Sequence, residues 1–353
     1  MSLRNETTEI RAGHELDEAR LADYLARHVP GIRPDASVRQ FRGGQSNPTF
    51  LIESGGRAWV MRKKPPGTLL PSAHQVEREH QVMKALAATD VPVPRMVHLC
   101  EDVSIVGTAF YVMEGVEGRV FRDVTLPGLA PAERGAIYAE MGEVLARLHL
   151  VDWRAIGLEG FGRPTGYVPR QVARWSKQYE ASRSHAIPAM DLVMPWLARN
   201  VPEEDEAAIA HGDFRLENMI FHPVEPRALA VLDWELATIG HPLPDLAYNC
   251  LPYHLPADFP GIGGLNGIDH AATGIPAEAE YVGAYCARTG RQRIDRWHYY
   301  LAFSLFRTAA ILQGVYARAL QKSASNANAL EVGKLAAEAA EAAWAAARKD
   351  GRP

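Results

Sequence analysis

One segment constrains this chain more than any other: Ile209-Ala210-His211-Gly212-Asp213-Phe214-Arg215-Leu216-Glu217-Asn218-Met219-Ile220-Phe221, continued by Ala230-Val231-Leu232-Asp233-Trp234-Glu235. Short apolar runs alternate with polar turns, which predicts strands joined by loops that carry Asp213, Asn218 and Asp233. A lone Asp or Asn at a strand end is commonly a turn former or a helix cap. Three oxygen-bearing side chains repeated through neighbouring loops describe a site instead.

The N-terminal third has a different grammar. Leu16 to His28 reads as an amphipathic helix, and Val38–Phe41, Thr49–Ile52 and Ala58–Arg62 as three antiparallel strands. The turn between the first two is Gly43-Gly44-Gln45-Ser46-Asn47, and Pro65-Pro66 stops the third strand. A helix is predicted from His74 to Ala88, followed by strands at Met96–Cys100 and Ala109–Met113. Glu114-Gly115-Val116-Glu117-Gly118 then changes the character of the chain and reads as a hinge, dividing an N-lobe (1–114) from a C-lobe (115–353). Beyond it the pattern is mainly helical. Pro131–Leu150 carries a stripe of Ile137, Met141, Val144, Leu145 and Leu148, Tyr299–Ala319 reads as a buried helix, and Asn326–Lys349 as a further one with Leu330, Leu335 and Trp344 apolar.

Phosphoryl transfer from ATP needs a carboxylate that accepts or orients the attacking hydroxyl, and oxygen ligands that hold magnesium against the triphosphate. Asp213 fits the first role, Asn218 and Asp233 the second. In the Gly43 to Asn47 turn the glycines Gly43 and Gly44 permit close approach to phosphates, and Ser46 or Asn47 can add hydrogen bonds.

The order His-x-Asp-x-x-x-x-Asn, then a strand hairpin, then a second Asp, resembles the catalytic and metal-binding loops of the kinase-like superfamily. His211-Gly212-Asp213 and Asp233-Trp234-Glu235 are similar to its aminoglycoside phosphotransferase and choline kinase members, not to protein kinases. The resemblance implies an α+β, two-lobed protein kinase-like fold, with a small N-lobe of antiparallel sheet plus helix and a larger, mainly helical C-lobe. It also implies ATP and Mg2+, a small-molecule hydroxyl acceptor, His211 bracing the loop and Asp245 anchoring it. Arg62 stands at the strand position commonly held by a phosphate-binding Lys, while Lys63 faces the other side of a regular strand. Either cation is open at this point. Glu79 is the expected partner of that cation, with Glu77 as the alternative, and the backbone near Met113 the expected adenine contact.

Arg170, Arg174 and Lys177 fall on one face of a helix, which suits an anionic acceptor better than a polycationic aminoglycoside. With this region, Arg62-Lys63-Lys64-Pro65-Pro66-Gly67 and Leu232 to Gly240 resemble one branch, the kinase-like domain fused to or alongside acyl-CoA dehydrogenases. That branch implies phosphorylation of a hydroxyacyl-CoA or hydroxy acid. A nucleotide-binding pseudokinase partner of an acyl-CoA dehydrogenase, and an aminoglycoside O-phosphotransferase, are the alternatives.

A formal charge of -4 over 353 residues argues against a nucleic-acid partner. Three dispersed cysteines describe no disulfide framework, and no stretch has membrane-spanning length, so a cytoplasmic location and no membrane partner are expected. Thirteen histidines occur without His-Glu-x-x-His spacing. Gly261 to Gly267 superficially resembles a dinucleotide loop, but Asn266 replaces a needed glycine and a plain loop is expected.

Overall fold

In the computed structural model, which describes residues 3–43, 47–67, 74–259, 262–321 and 329–351, six antiparallel strands build the first of two units. This unit runs up to Val120 and takes in Arg154–Leu158 and Asn218–Ala237. Its strands are β1 (Thr7–Thr8), β2 (Ser37–Phe41), β3 (Thr49–Ser54), β4 (Arg57–Lys63), β5 (Met96–Cys100) and β6 (Phe110–Glu114), in the order β1-β2-β3-β4-β6-β5. Two helices of eleven residues, α1 (Glu18–His28) and α2 (Val76–Leu86), and a single turn, α3 (Val103–Val106), accompany them.

Strand alternation sorts the sheet into two faces. Phe50, Ile52, Trp59, Met61, Phe110 and Val112 share one core with Leu21, Leu25 and Val29 of the α1 region. Leu51, Val60, Tyr111 and Met113 take the opposite parity and are also buried. The alternation in β4 therefore puts Arg62 and Lys63 on opposite faces. The edge strand β1 was not foreseen; two threonines are too short for periodicity, and only their pairing with Phe41 and Gln40 defines them.

Also in this unit is a hairpin of Met219–Phe221 and Ala228–Val231, with Met219 opposite Val231. It is fastened at both ends. Val231 N–H donates to Pro92 O at 2.8 Å, and Arg119 and Phe221 exchange two backbone bonds of 2.8 Å each. A Cβ on Gly118 would lie 2.2 Å from Phe221 O, so only glycine permits this approach.

The second unit comprises Phe121–Trp153, Glu159–Glu217 and the chain from Thr238. It holds α4 (Pro131–Leu150), α5 (Tyr167–Ser182), α6 (Pro188–Arg199), α7 (Pro242–Asn249), α8 (His270–Thr273), α9 (Glu278–Arg288), α10 (Trp297–Leu320), α11 (Ala329–Lys334) and α12 (Ala336–Lys349). A two-stranded ladder joins Ala208–Ala210 to Thr238–Gly240. The α4 stripe is buried as predicted, and α10 is enclosed from Tyr299 to Ala310 by α5, α6, α7, α11 and α12.

The last helical stretch differs from its expectation. It breaks near Leu335 into α11 and α12, Leu330 is exposed, and the buried face of α12 is Ala336, Ala339, Ala340, Ala343, Ala346 and Ala347. Small side chains let two helix axes approach closely, so the alanines and not the larger residues define the contact. Gly333 serves the same end, since a Cβ there would lie 2.4 Å from Tyr316 Cβ.

The organisation is thus α+β, an antiparallel sheet with helices in one unit and a mainly helical second unit. Among the described residues no helix is long and apolar enough to cross a membrane.

Candidate active site

In the first unit, Arg62 gathers three carboxylates. Its Nη2 donates to Asp233 Oδ1 at 2.8 Å and to Glu235 Oε2 at 3.2 Å, and its Nε lies 3.1 Å from Glu79 Oε2. The last contact lacks a hydrogen-bonding angle, so the attraction there is Coulombic. Lys63 is elsewhere: on the other face of β4, its Nζ donates to Val106 O at 2.7 Å. Glu77, the alternative acid, pairs with Lys64 at 2.5 Å. Strand parity thus pairs Arg62, and not Lys63, with Glu79.

Glu79 is 1% exposed and fully engaged. It accepts from Asn47 Nδ2 at 3.0 Å and Tyr111 OH at 3.1 Å. Burial pushes its carboxyl up to about 7, against the pull of Arg62. The guanidinium is itself held more firmly protonated by its acidic neighbours, in spite of its burial.

Asn47 is wholly buried, and its Oδ1 bonds His74 Nδ1 at 2.9 Å, so its amide braces Glu79 where a phosphate contact was expected. Among the described residues, nothing lies within 4 Å of where a Cβ on Gly43 would stand. Gly44 and Ser46 lie outside the described residues. Met113 is a buried β6 residue opposite Val60. The N–H groups of Glu114 and Gly115 are already spent on Arg95 O and Ala58 O, both at 3.0 Å.

The hairpin explains how Asn218 and Asp233 come together. Leu232 N–H donates to Asn218 O at 2.8 Å, which sets Asn218 beside the residue preceding Asp233. Asp233 adopts the left-handed conformation, φ +64° and ψ 56°, a state that costs an ordinary residue about 1–2 kcal/mol. Trp234 holds it there: the indole is 1% exposed and donates to Val231 O at 2.9 Å. The strained turn aims the carboxylate at Arg62.

In the second unit, His211 to Phe214 is held almost entirely by α7. Asp245 receives His211 N–H on Oδ2 at 2.7 Å and Gly212 N–H on Oδ1 at 2.8 Å, with His149 Nε2 3.4 Å away. Burial raises the Asp245 carboxyl, but the bonds and charge of His149 and His211 outweigh it and leave it below the usual range. One turn on, Tyr248 OH donates to Asp213 Oδ1 at 2.5 Å, and Asn249 Nδ2 donates to Phe214 O at 3.1 Å. Gly212 has φ +83°, and its carbonyl accepts from Arg307 of α10 at 2.6 Å. His211 is buried and accepts from Asp213 N–H on Nδ1 at 3.2 Å.

Sequence reasoning missed Tyr248, Asn249, Arg307 and Glu235. The spacing 245, 248, 249 is a helical i, i+3, i+4 face and could have marked the first two; nothing local marks Arg307. Beside the loop lies a small cavity of about 30 Å³. Its wall is largely apolar and aromatic, including Phe121, Tyr138, Tyr253 and Leu265, with Arg122, Arg215 and one carboxylate, Glu217. The α5 helix contributes nothing to it. Arg170 there donates to Arg163 O and Thr165 O, closing its own preceding loop and not standing on an open basic face.

Residues 37–297 match the model of the phosphotransferase enzyme family. Acyl-CoA dehydrogenase family member 10 of Mus musculus is 52% identical over 334 residues, covering 93% of this chain and 31% of that protein. Family member 11 of Gallus gallus is 47% identical over 348 residues, 97% of this chain and 45% of its own length. The chain therefore spans less than half of either relative. Among solved structures, a protein of Ralstonia eutropha JMP134 provisionally named an aminoglycoside phosphotransferase superposes with a TM-score of 0.87 at 50% identity, over 95% of this chain and 99% of that one. A thermostable mutant of aminoglycoside phosphotransferase APH(4)-Ia, in ternary complex with ADP and hygromycin B, shares the fold at a TM-score of 0.60 and 14% identity, over 92% and 98%. With more than half its length matched, and with the loops just described inside the match, the chain belongs to the phosphotransferase enzyme family.

Proposed function

We propose that this phosphotransferase moves the γ-phosphoryl group of ATP to a hydroxyl of a small anionic molecule, a hydroxyacyl-CoA or related hydroxy acid. The observation that carries the reading is Arg62, a cation held jointly by Glu79 and Asp233. Such a guanidinium, released from Asp233, offers a planar fork to phosphate oxygens while Glu79 keeps it oriented.

Asn218 and Asp233 are the residues that would hold magnesium, an amide and a carboxylate oxygen being the hard donors it prefers. Bound there, the metal supplies charge neutralisation along the triphosphate. Asp213 takes the proton of the acceptor hydroxyl as its oxygen bonds the γ-phosphorus and the bond to the β-phosphate oxygen breaks, leaving ADP.

The acceptor class is supported by two facts. The relatives carry acyl-CoA dehydrogenase names. Arg122 and Arg215 stand against a single carboxylate, Glu217, in the cavity wall, a balance that does not suit a polycation. ADP release should be followed with a panel of hydroxyacyl-CoA thioesters, free hydroxy acids, choline and aminoglycosides. Stimulation by the first two classes, abolished in Asp213→Ala, is expected; silence from every acceptor, with background turnover unchanged in Asp213→Ala, would end the proposal.

A further inference from the structure

We infer that Arg307 is a positioning residue for the loop that carries Asp213: it fixes the peptide plane between Gly212 and Asp213, and with it the direction in which Asp213 leaves the backbone. The inference rests on the phosphotransfer reading above. It begins with Gly212, whose φ of +83° lies in the region that glycine enters without steric cost. A peptide unit that follows such a residue can turn over easily, and Asp213 would turn with it.

Both edges of that plane are held. Arg307 Nη2 donates to Gly212 O at 2.6 Å, and Asp213 N–H donates to His211 Nδ1 at 3.2 Å. The second bond is at the long end of the range and reaches back only two residues, so the short bond from a charged donor is the stronger constraint. The Asp245 carboxylate takes the N–H groups of His211 and Gly212, which precede the plane, and Asn249 takes Phe214 O, which follows Asp213. Arg307 acts on the plane between them.

Two aromatic side chains place the guanidinium. Its carbon lies 5.4 Å from the ring centroid of Trp175 on α5 and 5.1 Å from that of Tyr248 on α7, while Arg307 itself belongs to α10. Three helices therefore aim one donor at a loop carbonyl. The cation is a costly choice for this place. Arg307 is 9% exposed, and among the described residues it makes no ion pair and its Nε has no hydrogen-bond partner. An apolar side chain would fill the space between the rings without burying a charge, so packing does not account for an arginine here. What a long cationic donor adds is a strong, directed bond to Gly212 O.

Arg307→Met keeps an apolar stem between the rings and removes the donor. The kcat is expected to fall by about 10- to 100-fold with KM for ATP unchanged, the signature of a misaimed group, and Arg307→Lys should recover part of the loss. A second readout needs no turnover. Glycine precedes aspartate at one place in the chain, 212–213. Protein labelled with carbonyl carbon-13 glycine and nitrogen-15 aspartate therefore reports this peptide as a single carbonyl-coupled amide. Its hydrogen exchange is expected to quicken by about 10-fold in Arg307→Met, and by less in Arg307→Lys, with the other aspartate amides unchanged. Wild-type kcat in the variants, a loss carried by KM alone, or an unchanged exchange rate at this amide each overturn the inference. Should Arg307→Met not fold, Arg307→Lys decides by the same readings. Should the wild-type protein turn over no acceptor, the phosphotransfer reading fails by itself, and the labelled amide still decides whether Arg307 holds the plane.

Discussion

Arg62 and Asp233 stand 171 positions apart in sequence and meet at 2.8 Å, through a guanidinium that also faces Glu79 and Glu235. The arrangement is unusual in its balance: one largely covered cation, its side chain 12% exposed, against three acids, only one of which, Glu79, is itself nearly inaccessible. Asp233 and Glu235 keep part of their surface in water and can give up the pair at little cost, whereas Glu79 cannot.

Arg62→Ala should therefore do two things. Stranding the Glu79 charge is expected to lower stability by about 3–5 kcal/mol at alkaline pH, read from the denaturant midpoint. Loss of the bidentate donor should raise KM for ATP by about 10- to 100-fold, and Arg62→Lys should recover the charge but only part of the affinity. An alanine variant with an unaltered midpoint would show that Glu79 does not depend on this cation.

Stability should also carry a signature of Glu79 in its pH dependence. Its folded pKa of about 7 is above the ordinary value of 4.5, so the native state binds the extra proton. The contribution is complete below about 4.5 and is lost as pH rises toward about 7. Glu79→Gln should remove that descending slope from a series of unfolding curves between pH 5 and pH 8; a variant whose slope matches wild type contradicts the assignment.

Asp245 predicts the opposite sign. Its folded pKa is depressed, so the stability it supplies is present above its ordinary pKa of 3.8 and fades as pH falls through the lower folded value. In Asp245→Asn the amide nitrogen must face one of the two N–H donors of His211 and Gly212, removing a charged bond of about 1.5–3 kcal/mol. Thermal melting at pH 7 should show the loss, and ADP formation should fall with it because the loop that carries Asp213 is released. Full activity in the variant would show that the α7 anchor is dispensable.

Much of the fold was legible because it is written in short-range periodicity. Alternation in β2, β3 and β4 and the stripe of α4 are local properties and predicted strands and helices, while the order of Asp213, Asn218 and Asp233 carried the resemblance that implied the α+β class and the family. In the last stretch Leu330 is exposed, and alanines rather than the larger residues make the buried face of α12, because small side chains decide how near two helices can come.

Tertiary structure decided the partners. Arg62 and Lys63 are adjacent cations, and only the parity of β4 against α2 and α3 sends one to Glu79 and the other to the Val106 carbonyl. Asn47 looked like a ligand contact and became a brace, since its amide is wholly buried against Glu79 and His74. Tyr248 and Arg307 are 35 and 94 positions beyond Asp213, counting from 213 to 248 and 307, and no local pattern links them to it. Periodicity is a property of consecutive residues, whereas a hydrogen bond depends on which faces the packed helices and strands turn to one another. The sequence by itself therefore determined the chemistry on offer, and the folded chain determined which charges meet.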